Sequence, residues 1–219
     1  MTGEVDPATL GAAYSLIGEL LARSERPDEE QFGADVAAAL RGPSTGELRE
    51  RLAGAPLEVT GAIDAFLASE PSPRARSFPL YLGAYLFEEP TATDRADPRN
   101  GYLLEMLNLY WHFGLDPRGG QPPDYLPMML DFAGESVSRT DAPQAPVARR
   151  YFIEHHLSPG LAAFREVLER HAEPRAQLLR AAEALAAIDL VQTAHLVVEE
   201  PAPPARKAGA RSLPLVKEP

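Results

Sequence analysis

The chain reads as an all-α protein, a single-domain bundle of about ten helices with a mobile C-terminal tail. Three observations point there. Apolar residues recur in steps of three and four along most of its length, so they share helix faces. Strict alternation of apolar and polar residues, the mark of a half-buried strand, is rare. Proline, glycine and capping carboxylates stand at the ends of the apolar stripes, where helices begin and stop.

Asp6-Pro7 starts the first helix, with a capping carboxylate followed by proline at the first helical position. Leu10, Ala13, Tyr14, Ile17, Leu20 and Leu21 then form its apolar face. Pro27 with Asp28, Glu29 and Glu30 opens a second helix, its acids set against the positive end of the dipole. Phe32, Val36 and Leu40 are its stripe, and Gly42 stops it. Ser44-Thr45-Gly46-Glu47 reads as a capping box for a third helix that ends near Gly54. Val59, Ile63, Phe66 and Leu67 mark a fourth, which Pro71 and Pro73 interrupt.

Ser77–Phe87, rich in aromatics, suits a short helix, and its pattern also admits a strand. Thr91–Asn100 reads as a polar loop. Gly101–Phe113 is apolar on most sides and so predicts a central helix, with Glu105, Asn108 and His112 on a solvent-facing stripe. Asp124–Val137 is another helix. Val147–Leu157 and Pro159–Arg170 are two helices, or one broken at Ser158-Pro159-Gly160. Pro174–Leu190 completes the set, and Val191–Val198 is ambiguous. From Glu199 the chain holds five prolines, mixed charge and little to bury. Residues 1–198 thus read as the helical domain and 199–219 as a Pro-rich flexible tail.

The 219 residues suffice for one sizeable core without cross-links. No cysteine is present, which excludes disulfides, thiolate metal sites and thiol nucleophiles together. The net charge of −11 repels phosphate backbones and anionic lipid heads and attracts a basic partner. The longest uncharged stretch, Pro7–Gly18, falls short of the ~18 or more apolar residues of a membrane span. The acidic start Met1–Asp6 lacks the basic character of an export signal, and a cytoplasmic protein is expected. Neither nucleic-acid binding nor stable membrane insertion is expected.

No phosphate-cradling glycine loop and no nucleophile elbow occurs. None of the five histidines has a strong metal-ligand spacing. His155 and His156 are adjacent, so on a helix they point about 100° apart. No carboxylate pair is marked out for acid–base work. Neither metal, cofactor nor catalytic activity is therefore expected. Arg149-Arg150, deep in the chain, reads as two exposed helix arginines.

Two segments stand out. In the first, Gln121, Pro123, Asp124, Leu126, Leu130 and Phe132 match the pattern [EQ]-x-P-D-H-L-x-x-x-L-E-F, with Asp131 in place of its Glu. In the second, His156, Leu157, Pro159 and Phe164 match H-L-x-P-W-x-x-x-F. Upstream, Arg99–Leu107 with Tyr110 and Gly114 looks like the helix preceding the first motif in a nitrate-reductase branch. Over about Phe78–Phe164 the chain thus resembles the TorD/DmsD/NarJ family of molybdoenzyme assembly chaperones, in its nitrate reductase delta-subunit-like branch. Tyr125 stands where the family usually has His, which removes an imidazole. Gly160 stands where many members have Trp, which leaves a smaller side chain and a wider groove.

The resemblance implies a system-specific cytoplasmic chaperone without catalytic activity. Such a protein binds the N-terminal segment of a molybdopterin oxidoreductase catalytic subunit, often a twin-arginine signal peptide. It holds that subunit back from export or membrane docking until the cofactor is inserted, as anaerobic respiration requires. The residues present suit such a task, because a basic leader followed by an apolar run needs carboxylates beside an apolar groove. Asp124 is the candidate partner for a guanidinium, or the cap of the helix that follows it. Tyr81, Tyr85 and Phe87 are candidates to line the groove, or core. Glu88, with Glu89, forms its rim. Tyr125, Asp131 and His156 complete the candidate set, and Met128 beside Met129 adds adaptable apolar surface. An alternative of another class is a permanent helical structural or adaptor subunit of a larger complex, which would expose a large apolar patch. The oligomeric state stays open, a homodimer included.

Overall fold

A computed structural model describes residues 5–24, 52–70, 72–88, 97–115, 121–139 and 145–196. The expected helix over Pro27–Gly42, nearly all of the one opening at Ser44, and the C-terminal tail lie outside these residues. Among the described residues every regular element is helical. The one pairing of β type is an isolated antiparallel bridge between Tyr81 and Tyr125.

Helix α1 spans Pro7–Ser24. Asp6 caps it as its position predicts, accepting from the Thr9 backbone N–H at 3.1 Å. The helices that follow are α2 (Leu57–Leu67), the single turn α3 (Gly83–Leu86), α4 (Pro98–His112) and α5 (Leu126–Ser138). Beyond them lie α6 (Ala145–Phe152), α7 (Ser158–Arg170) and α8 (Ala176–Gln192). The core is one cluster of leucines, alanines and aromatic rings, with α1, α5 and α8 at its centre.

The α1–α5 contact is the most extensive among the described helices, and glycine is its cause. The two helices run antiparallel, with Gly11 against Gly134 and Gly18 against Pro127. A Cβ on Gly134 would lie 2.7 Å from the Gly11 carbonyl oxygen, and one on Gly18 3.0 Å from that of Pro127. Backbone thus meets backbone at two points seven residues apart on α1, with no side chain to hold the axes apart.

Five sequence-based expectations change here. The loop expected over Thr91–Asn100 ends early, because Asp97 caps α4 by accepting from the Arg99 N–H at 2.9 Å and Pro98 takes the first turn. Helix α4 is not central. It buries Tyr102, Met106 and Tyr110 on one face and leaves Leu104 and Trp111 each 56% exposed on another. Of its expected solvent stripe, Asn108 and His112 are exposed, whereas Glu105 is half-buried and accepts from the Tyr151 hydroxyl at 2.6 Å.

The break expected at Ser158-Pro159-Gly160 is a widened turn instead. Pro159 has no N–H to offer the preceding turn. The helix loosens into a π-helical turn over Ile153–Leu157, with the Ser158 N–H reaching back to the Ile153 carbonyl, and continues without a stop. Arg149 is not an exposed helix arginine. It is 4% exposed, paired with the buried Asp189, and donates to the Ala133 carbonyl at 3.0 Å. Arg150 beside it is half-buried and donates to the Leu190 carbonyl at 2.7 Å.

The aromatic segment divides. Leu80–Leu82 runs extended against Asp124–Leu126, with Leu82 N–H to Asp124 O at 3.0 Å and Leu126 N–H to Leu80 O at 2.7 Å. The chain then turns at once into α3. Buried Arg175 anchors the approach to this segment by donating to the carbonyls of Ala75 and Phe78.

Candidate peptide-binding site

The Pro-Asp-Tyr corner precedes α5, and its carboxylate points inward. Asp124 is 0% exposed. One of its oxygens, Oδ2, accepts from the Gly83 N–H at 2.9 Å and from Arg99 Nη2 at 3.2 Å. It therefore caps the neighbouring helix α3 rather than its own, and its guanidinium partner belongs to this chain. Gly83 is required there, since a Cβ would lie 2.6 Å from that same oxygen. Asp124 does not stand ready at the surface for a foreign arginine, contrary to the sequence-based assignment. It closes the corner.

His156 is likewise withdrawn. The π-helical turn places it among Tyr102, Tyr151 and Phe152. Its Nε2 is 3.7 Å from Glu105, beyond hydrogen-bond length, and neither ring nitrogen has a hydrogen-bond partner among the described residues. Burial holds its pKa below the usual histidine value, against the pull of Glu105. A neutral, enclosed imidazole cannot meet a peptide at the surface.

The groove expected from Gly160 is filled. A Cβ there would come within 2.5 Å of the Leu82 side chain, so the missing side chain lets α7 pack against Leu82.

The aromatic candidates are neither core nor open groove. Tyr81, Tyr85, Phe87 and Tyr125 are all half-buried. The Tyr81 and Tyr125 rings lie 5.5 Å apart across the bridge, and the Tyr81 hydroxyl donates to Gln121 at 2.6 Å. Tyr85 stacks on Phe164 at 4.1 Å and donates to the Pro79 carbonyl at 2.8 Å. Phe87 packs against Tyr102 at 5.4 Å, and Glu88 next to it is exposed. Glu89 lies outside the described residues.

From Tyr125 a strip runs down the outer face of α5. Tyr125, Met128, Asp131 and Glu135 follow at intervals of three, three and four residues, so they stack along one side of the helix. Tyr125 and Met128 are half-buried, and Asp131 and Glu135 are exposed. The antiparallel α1 lays Ser15 and Glu19 beside Asp131. Glu19 pairs with Arg23, and Glu135 with Arg139, each one turn along its own helix. Among the described residues no arginine or lysine pairs with Asp131. Partial burial and the charge of Glu19, with a smaller push from Glu135, raise its pKa to about 6, and a hydrogen bond from Ser15 opposes them. The strip thus begins in aromatic and thioether surface and ends in crowded negative charge.

Glu19 and Glu135 escaped the sequence reading, because nothing local marks them. The signal was Gly11 and Gly18, whose spacing of seven announces a close helix contact. Only the structure supplies its partner.

No helix among the described residues is long and apolar enough to cross a membrane, and no group of three or more metal-ligating side chains occurs among them. A family model described as nitrate reductase delta subunit matches residues 63–186, more than half of the chain. The chain belongs to this family, the NarJ/TorD-like assembly chaperones of molybdoenzymes. No curated protein and no solved structure matches it.

Proposed function

We propose that the protein is a system-specific cytoplasmic chaperone of a molybdopterin oxidoreductase, without catalytic activity, and that it binds the N-terminal leader of the catalytic subunit along the α1–α5 strip. The leader's apolar residues lie on Tyr81, Tyr125 and Met128. Its arginines lie against Asp131, with Glu19 and Glu135 on either side. Tyr85, Phe87 and Glu88 extend the surface beyond Tyr81. Held in this way, the subunit waits for its cofactor before export or membrane docking.

The observation that carries this reading is Asp131, an acid beside Glu19 and Glu135 with which no cation pairs among the described residues. A guanidinium placed there gains charge-assisted hydrogen bonds and relieves the crowding. One such bond contributes about 1.5–3 kcal/mol, so the apolar contacts must supply the rest of the affinity. Calorimetry with the N-terminal peptide of the cognate molybdopterin catalytic subunit tests the reading. Saturable binding at micromolar affinity or better is expected, weakened at least tenfold by Asp131→Lys. Absence of heat and of saturation removes the proposal.

A second reading has its own observation. Leu104 and Trp111 expose an apolar stripe on α4 that the strip does not use. A permanent adaptor subunit would bury that stripe and co-purify with the mature enzyme at fixed stoichiometry.

A further inference from the structure

The strip has a second candidate occupant within the same sequence. Residues 201–217 hold four of the chain's 21 basic residues and none of its 32 acids. The rest of the chain therefore carries a net charge of −15, against −11 for the whole. Within that segment the order is Arg206-Lys207, then Arg211, then Leu213-Pro214-Leu215-Val216. A basic pair followed by an apolar run is the chemistry assigned above to the client's leader.

The exit point of this segment suits the strip. Helix α8 ends beside the start of α1, where Gln192 Nε2 donates to the Val5 carbonyl at 2.9 Å. Because α1 and α5 are antiparallel, the start of α1 lies next to the end of α5, close to Glu135. The chain therefore leaves α8 at the acidic end of the strip. From there the strip runs Glu135, Asp131 with Glu19, Met128, then Tyr125 with Tyr81. Read outward from α8, the tail's sequence has the same order as the strip, basic residues first where the strip has acids and apolar residues next where it has rings.

The lengths also agree. Asp131 lies seven residues from the end of α5, about 10 Å along its axis. Residues 197–205 span up to about 30 Å, enough to bring Arg206 there. Tethering over such a distance gives an effective concentration on the order of millimolar. A tail with an intrinsic affinity of about 0.1–0.5 mM would therefore fill the strip about two-thirds to nine-tenths of the time.

We propose that segment Arg206–Val216 docks in cis on the α1–α5 strip as an internal stand-in for the client leader, so that a client must displace it. This rests on the strip being the leader's site, and the test separates the two claims. The full-length chain is compared with its triple variant Arg206→Glu, Lys207→Glu, Arg211→Glu. Two labelled peptides are titrated by fluorescence anisotropy: residues 201–219 of this chain, and the client leader used above. The tail peptide is expected to saturate the triple variant and to bind the wild-type chain several-fold more weakly. Adding Asp131→Lys to the triple variant is expected to abolish that saturation. The client leader is expected to bind the triple variant about threefold to tenfold more tightly than wild type.

The proposal is overturned if the tail peptide does not saturate the triple variant, or if Asp131→Lys leaves that binding unchanged. It is overturned alone if the client leader binds both chains equally. Should the tail peptide bind in an Asp131-dependent way while the leader binds neither chain, the cis contact stands and the leader-binding reading falls. Sedimentation distinguishes a second copy as occupant. A mass that rises with concentration in wild type but not in the triple variant assigns the tail to a neighbouring molecule and overturns the cis contact.

Discussion

Two successive residues of α1 face two aspartates in opposite circumstances. Tyr14 donates to Asp189 at 3.3 Å inside the core, where Arg149 completes the pair and itself donates to the Ala133 carbonyl. Ser15 lies beside Asp131 at the surface, where Glu19 and Glu135, each paired with an arginine of its own helix, are neighbouring charges and no cation pairs with Asp131 among the described residues. One carboxylate is neutralised by the fold. The other is left with its charge where a second chain can reach it. Carboxylates of the first kind hold the bundle together, and one of the second kind carries the proposed leader contact. Asp124, engaged by Arg99 and the Gly83 N–H, belongs with the first.

The largest effect should come from breaking the neutralised pair. Arg149→Ala leaves Asp189 buried without its cation, which costs about 3–5 kcal/mol. Chemical denaturation should show the midpoint falling with little change in slope. Replacing both partners, Arg149→Met with Asp189→Leu, should recover much of that loss. A small effect of Arg149→Ala would mean that water reaches Asp189, and the contrast between the two aspartates would collapse.

Asp124→Ala comes next. It removes the acceptor of the buried Gly83 N–H and the partner of Arg99, at about 1–3 kcal/mol. Leader affinity in the folded protein should stay within a factor of two. A loss of binding as large as that from Asp131→Lys, with stability unchanged, would return Asp124 to the surface role that its motif first suggests.

That reversal indicates what the sequence could carry. Periodicity and caps placed α1, α2, α5 and α8, because local rules govern where a stripe begins and ends. The aspartate of the motif was legible as chemically special. The direction of its side chain was not, since that depends on α3 and Arg99, which arrive from elsewhere in the chain. Arg149 misled for the same reason. Its partners among the described residues, Asp189 and the Ala133 carbonyl, are distant in sequence, so the local pattern showed two adjacent cations on a helix. The strip was half legible: Tyr125, Met128 and Asp131 lie on one segment, whereas Glu19 comes from the other side of a glycine contact.

Leader binding should depend on pH through Asp131. A cation prefers the ionised carboxylate, and Asp131 in the free protein loses its proton only near pH 6. Affinity should therefore weaken as pH falls from 7.5 to 5, by about tenfold if the Asp131 contact is lost in full. Titrations of Asp131→Asn over the same range should be flatter and start from the weaker value. An equal slope in both proteins would assign the proton to another group.

The smallest effect carries the plainest sign. Burial and Glu19 raise the pKa of folded Asp131 to about 6, above its ordinary value of 3.8. The folded state therefore binds that proton more tightly than the unfolded chain does. Stability then falls as pH rises from about 4 to 6, and the penalty is fully present above that window. Asp131→Asn removes the charge, so the variant should be more stable than wild type at pH 7.5 and equal to it at pH 4. Solvent around an exposed carboxylate keeps the gain to about 1 kcal/mol or less. Thermal unfolding of both proteins at the two pH values measures it. A variant more stable at pH 7.5 yet weaker in leader binding has traded function for stability, as expected of a charge kept for a partner. A gain that persists at pH 4 would come from packing instead, and Asp131 would then differ from Asp189 only in its exposure.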